Sequence, residues 1–197
     1  MLKNQKYNPA QNFDGLFKIL SSKRFLNKDG LGGDLPFFIH SFPVNKQSEI
    51  DLNIVSLKKR LQNEGIETLE VNLYELCINI LKKENLFEQI ISQEMKLPKQ
   101  RLMRVLSGPL NIDSILIPEI NSRLRNVSAK IIFITGIGAV FPFIRTHTII
   151  NNFQTLEKEL PLVMFFPGTY NNQTLNLFDL LKDANDYRAH NLNEYKI

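Results

Sequence analysis

Two short runs of uninterrupted apolar residues constrain this chain more than any other feature. Ile131-Ile132-Phe133-Ile134 and Leu162-Val163-Met164-Phe165-Phe166 contain no polar residue. Successive side chains of a strand point to opposite faces, so a strand apolar on both faces must be covered on both. Strands of that kind sit inside a mainly parallel sheet with helices on each side. The remaining pattern supplies companions. Leu35 to Phe42, closed by Pro43, predicts a third buried strand. Ile66 to Leu73 alternates Leu69, Val71 and Leu73 with polar Glu70 and Asn72, and Tyr187 to Leu192 alternates in the manner of an edge strand.

Helices fill the intervals. Ile50, Ile54, Leu57 and Leu61 form an apolar stripe, with Ser48 as a candidate cap, Asp51 as its acidic partner and Gly65 as a stop. With its flanking strands this makes a βαβ unit, right-handed and parallel in nearly all cases. From Tyr74 to Asn126 the spacing is helical in several short pieces. A helix is expected from about Phe143 to Leu156, and a short one marked by Leu175, Leu177, Phe178 and Leu181. Phe165-Phe166 is expected to end its strand at Pro167-Gly168. The fold class is therefore α/β: a mainly parallel five-stranded sheet flanked by helices. A helical insertion spans about 74–126, and residues 1–197 form a single domain.

Composition agrees with an ordinary globular protein. The 197 residues are 43% hydrophobic and 22% charged, and that length can bury roughly 70% of the unfolded surface without a metal or disulfide. Cys77 is the single cysteine, so no intramolecular disulfide exists, which favours a reducing, cytoplasmic setting. The start, Met1-Leu2-Lys3-Asn4-Gln5-Lys6, lacks the apolar core of a signal peptide, and the apolar stretch Ile131 to Ile144 is too short to cross a bilayer.

Ligands of open parallel sheets bind beyond the carboxyl ends of the strands. Three segments should meet there: Ser41-Phe42-Pro43, Thr135 to Pro142, and Pro167-Gly168-Thr169-Tyr170. A nucleotide-hydrolysing P-loop would place G-x-x-x-x-G-K-[ST] after the first strand, because backbone N–H groups and a lysine must surround the phosphates. The sequence there is His40-Ser41-Phe42-Pro43-Val44-Asn45-Lys46, without a glycine, and the later strand ends in Ile134-Thr135 where a metal-binding acid would stand. Gly136-Ile137-Gly138 is half of a dinucleotide fingerprint, but Phe141 occupies the third glycine's place. Gly136, Gly138, Pro142, Pro167 and Gly168 are better read as turn residues. His40, His147 and His190 lack metal-ligand spacing, although His40 and His190 can approach if their strands are neighbours. No G-x-S-x-G elbow anchors a hydrolase triad.

Charge and aromatic residues suggest surfaces instead. The net charge is +4, yet residues 1–28 hold Lys3, Lys6, Lys18, Lys23, Arg24 and Lys28 against Asp14 alone. Phe13, Leu16, Phe17 and Leu20 give that segment an apolar face. It reads either as a terminal helix with a solvated basic face or as a DNA-binding helix using Lys18, Lys23 and Arg24. Arg145 and His147 follow a strand and turn, where Arg145 can meet an anion or a partner's carboxylate or simply decorate a helix. Tyr170, Tyr187 and Arg188 join the aromatic and arginine composition of protein–protein hot spots, with core packing as the competing reading.

Several of these segments together resemble one family. Lys23-Arg24-Phe25-Leu26, Gly30-Leu31-Gly32 and Leu35-Pro36-Phe37-Phe38-Ile39 resemble the start of the BrxB family of bacteriophage exclusion (BREX) defence systems. Val71 to Leu76, Thr135 to His147 with Asn151-Asn152, Phe165 to Tyr170, Leu175 to Phe178 and Tyr187-Arg188-Ala189 are similar to its later blocks, in order. The resemblance implies a small cytoplasmic component of a prokaryotic anti-phage system, with no cofactor and no membrane. Such systems also contain a DNA methyltransferase, a large ATPase and a PglZ-type alkaline-phosphatase-like protein. The family is not known for catalysis, so the implied role is assembly, with the PglZ-type protein, the large ATPase or both as partners; Arg145, His147, Tyr170, Tyr187 and Arg188, singled out by their residue types and positions, are the candidate contacts. A degenerate, P-loop-like ancestry fits that reading. The alternatives are a DNA-binding accessory subunit and a cryptic nucleotide or phosphoryl enzyme.

Overall fold

The computed structural model describes residues 7–29, 31, 36–153, 156, 160–183, 187 and 189–195. Lys3, Lys6, the turn-rich Gly30, Gly32, Gly33 and Asp34, and the candidate Arg188 lie outside the described residues. Strands β1 (Phe37–Phe42), β2 (Thr68–Asn72), β3 (Ile131–Thr135), β4 (Leu162–Tyr170) and β7 (His190–Asn191) form a parallel sheet in the order β2-β3-β4-β1-β7. The two apolar runs are β3 and the first half of β4, and both lie inside the sheet with every residue from Ile131 to Ile134 and from Leu162 to Phe166 buried.

Each face of the sheet has its own core. Phe38, Phe42, Phe133, Val163 and Phe165 pack under α1 (Pro9–Leu20), α2 (Lys23–Leu26) and α3 (Gln47–Asn63). Ile39, Val71, Ile132, Ile134, Met164 and Phe166 pack under the helices of the other face: α4 (Leu73–Lys83), α6 (Lys99–Ser107), α7 (Ile117–Arg125), α8 (Ile137–Val140) and α9 (Thr146–Phe153). Between β2 and β3 the chain is helical, as expected: α4, α5 (Phe87–Glu94) and α6 are followed by a π-turn at Ile112–Leu116 that runs into α7.

Local chemistry explains the boundaries. Helix α3 ends in a Schellman arrangement: Gly65 adopts φ 70°, and the Ile66 N–H donates to Leu61 C=O at 3.0 Å. Its start differs from expectation. A 3₁₀ turn at Val44–Lys46 feeds directly into the helix, which puts Ser48 inside the first turn instead of at the cap. Asn72 caps α4, its Oδ1 accepting from the Tyr74 and Glu75 N–H groups.

The largest correction concerns the segment after Phe166. Strand β4 continues through Pro167 and Gly168 to Tyr170, and the predicted short helix is instead β5 (Leu175–Leu177), antiparallel to β4, followed by β6 (Leu181–Lys182). Helical spacing of the leucines was overridden by strand pairing, in which Leu175 and Leu177 share one buried face at period two. Gly168 makes this possible. It pairs with Leu177 at φ 140°, and a Cβ there would lie 2.1 Å from the Asn176 carbonyl oxygen. The expected helix over 143–156 is also shorter, because Pro142, Phe143 and Arg145 belong to the turn between α8 and α9.

Candidate functional site

The three strand-end segments meet as expected. Phe42 is paired with Pro167 across the sheet, and Pro167 lies against the Gly138 turn. Gly136 begins α8 in the left-handed region (φ 74°), and the Phe141–Pro142 peptide is cis. At Gly138 the requirement is space: a Cβ would come within 2.7 Å of the Phe178 ring and 3.2 Å of Pro167. Phe178 therefore locks the β5–β6 hairpin onto the α8 turn. It does so from a costly backbone, since Phe178 and Asp179 have φ of 58° and 59° where bulky residues are rare.

This docking creates a cleft of about 560 Å³ between the hairpin and the α8–α9 turn, lined by Phe141, Pro142, Arg145, His147, Leu180, Leu181, Lys182 and Asp183 among others. Its rim is apolar and open. Leu180 is 83% exposed, Leu181 42% and Phe141 37%. Arg145 and Lys182 are exposed and have no side-chain partner among the described residues, whereas Asp183 accepts from the Tyr187 hydroxyl and faces His147 Nδ1 at 3.7 Å. A second cleft of about 540 Å³ shares the Pro142–Arg145 wall and adds Arg104.

Tyr170 and Tyr187, both candidates for partner contact, are buried at 6% and 4% exposure. The Tyr170 hydroxyl donates to the carbonyls of Ala189 (2.8 Å) and Tyr187 (3.1 Å), and burial raises its pKa against the opposing effect of the Ala189 bond. The Tyr170 hydroxyl thus ties β4 to the chain leading into β7, and the Tyr187 hydroxyl donates to Asp183, just after Lys182. Arg145 and His147 remain at the surface cleft. Lys18, at the end of α1, and Lys23 and Arg24, in α2, are exposed on the opposite side of the sheet. There α1 buries Phe13, Leu16, Ile19 and Leu20, and Asp14 pairs with Arg60 at 2.7 Å.

Three other places carry residue types capable of chemistry: His40 with His190, the cleft beside β2, and Cys77. Strands β1 and β7 are neighbours, yet their register sets His190 opposite Phe38, two residues from His40. His40 is 1% exposed, its Nε2 is 3.0 Å from the Tyr7 hydroxyl, and its Nδ1 has no hydrogen-bond partner among the described residues. Burial lowers its pKa to about 4. Among the described residues no three His, Cys, Asp or Glu side chains group as metal ligands. A polar cleft beside β2 contains Lys58, Glu70, Arg123 and Thr135. Both Glu70 oxygens are engaged there, by Lys58 at 2.6 Å and by the Thr135 hydroxyl at 2.9 Å, so the carboxylate is consumed by structure. Burial pushes the Cys77 thiol up to about 12, which removes it as a nucleophile near neutrality.

Sequence reasoning missed Leu180, Lys182 and Asp183, because Phe178-Asp179 carries neither the glycine nor the asparagine that normally announces a tight hairpin.

The fold and cleft define a three-layer α/β protein with a parallel sheet and an exposed apolar, basic groove at its strand ends. The model of the family described as "BREX protein BrxB" matches residues 69–192, more than half of the chain. A "BREX protein BrxB" of Bacillus cereus (strain H3081.97) is 32% identical over 92% of this chain and 96% of its own length. One of Escherichia coli O9:H4 (strain HS) is 28% identical over 88% and 86%. The chain belongs to the BrxB family of BREX proteins. That membership supports a role in BREX phage defence. No solved structure matches it, and no helix among the described residues is long and apolar enough to cross a membrane.

Proposed function

We propose that this chain is a non-enzymatic assembly subunit of a cytoplasmic BREX anti-phage complex, contacting the PglZ-type alkaline-phosphatase-like protein, the large ATPase or both. The observation that carries this reading is the groove at the strand ends, where Leu180, Leu181 and Phe141 are exposed beside Arg145 and Lys182, which have no side-chain partner among the described residues. Exposed apolar clusters edged by arginine are the composition of protein–protein hot spots. In this reading the strand–loop–helix at β1 and α3 is a degenerate phosphate-binding loop, and its lack of glycines fits a chain that does not turn over nucleotide. The test is affinity purification from cells expressing the neighbouring genes, washed at low and high salt with nuclease present. A stoichiometric BREX subunit should survive both washes; recovery of the chain alone overturns the reading.

A second reading is favoured by Lys18, Lys23 and Arg24, which are exposed and lack side-chain partners among the described residues. Were the chain a DNA-binding accessory, its affinity for duplex DNA would fall steeply with salt, and neutralising all three would flatten that slope by about three. A cryptic nucleotide enzyme instead requires a thermal shift with saturating ATP or GTP.

A further inference from the structure

The electrostatics of the groove specify what fits it. Arg145 and Lys182 line the first cleft and Arg104 the second. All three are exposed and none has a side-chain partner among the described residues. Among the described residues no carboxylate lines the second cleft, and the one lining the first, Asp183, is held by Tyr187 beside His147. The apolar rim of Phe141, Leu180 and Leu181 therefore lies beside Arg145 and Lys182, cations without a side-chain partner among the described residues, and the carboxylate of Asp183 is engaged by Tyr187. The strained Phe178–Asp179 turn, fixed by the Phe178 ring on Gly138, holds Leu180 outward in solvent.

We propose that the occupant of this groove is an acidic–apolar protein segment, with aliphatic or aromatic side chains seated against Phe141, Leu180 and Leu181 and flanking carboxylates on Arg145, Lys182 and Arg104. The proposal rests on the assembly reading and specifies the chemistry of the partner. A phosphate backbone satisfies the charges but leaves the leucines in water. A second copy of the chain satisfies the leucines but brings more positive charge against the same wall.

The test selects short random peptides displayed on phage against the full chain, with the Leu180→Asp chain as counter-selection. Enriched peptides should pair Asp or Glu with large apolar residues, and should bind at least about tenfold more weakly to Leu180→Asp and to Arg145→Glu/Lys182→Glu. Their binding should also weaken with added salt. All three residues are exposed, so the thermal midpoints of the variants should match the parent. The proposal is overturned by enrichment of basic or uncharged peptides, by no enrichment over Leu180→Asp, by unchanged affinity in both variants, or by displacement of the peptides with duplex DNA. Co-purification with the neighbouring BREX subunits separates the two readings. Equal capture by the parent and the charge-reversed chain overturns the groove's chemistry and spares the assembly role, whereas no capture by the parent overturns the assembly role itself.

Discussion

The two halves of β4 obey different rules. From Leu162 to Phe166 the strand is parallel, pairs with β1 and β3, and buries every side chain between two helical layers. From Gly168 to Tyr170 it is antiparallel to β5 and builds a hairpin that leaves Leu180 and Leu181 in solvent. The first half is held by burial on both faces, at about 25 cal/mol per Å² of apolar surface removed from water. The second depends on a few specific devices: Gly168 at the crossover, Phe178 wedged on Gly138, and the Tyr170 hydroxyl on two carbonyls. The lesson is that bulk burial stabilises the sheet, whereas backbone exceptions shape the surface that can recognise something.

The largest effect is expected where the halves join. Gly168→Ala puts a Cβ against the Asn176 carbonyl in a conformation that L-residues avoid, and should cost about 3 kcal/mol, measurable by urea unfolding. A loss below about 0.5 kcal/mol would mean that the hairpin does not depend on this crossover.

The parallel half has its own probe in His40, which is paired with Phe165 of β4. Its folded pKa, about 4, lies below its ordinary value of 6.5, so the folded state disfavours the proton. The stabilisation it provides is full above pH 6.5 and is lost as pH falls from 6.5 to 4, amounting to about 2 kcal/mol at pH 5. Comparing unfolding at pH 7 and pH 5 should show that increment in the parent and its absence in His40→Phe, with the other titrating groups cancelling between the two. An identical pH dependence would show that His40 is hydrated.

The smallest change sharpens the comparison from the hairpin side. Asp179→Gly relieves one of the two positive-φ residues of the β5–β6 turn and should stabilise the chain by about 0.5–1 kcal/mol in thermal unfolding. A destabilisation would reveal that the Asp179 side chain holds the turn.

Much of the sheet was legible before any coordinates, and for a local reason. Buried parallel strands announce themselves in consecutive residues, as Ile131 to Ile134 do, and a helix stop such as Gly65 is chemistry of a single position. The groove was not legible. Arg145 and His147 were found by their place after a strand and turn. Tyr170 reads equally as surface or core from sequence, and its burial with the carbonyl partners of its hydroxyl decides for the core; Tyr187 is buried as well. Leu175 to Leu181 has apolar spacing compatible with a helix, and the pairing of Leu177 with Gly168 overruled it.

The sequence by itself therefore determined the layered α/β class, the doubly covered strands, the helical stretch between β2 and β3, and the lack of glycines in the loop after β1. Tertiary structure alone decided the order β2-β3-β4-β1-β7, the register that separates His40 from His190, and the hairpin that sets Leu180 beside Arg145. The division has one physical cause. Apolar periodicity and turn chemistry are encoded within a few residues, whereas strand order, register and the meeting of Phe178 with Gly138 are selected by packing between segments far apart in the chain.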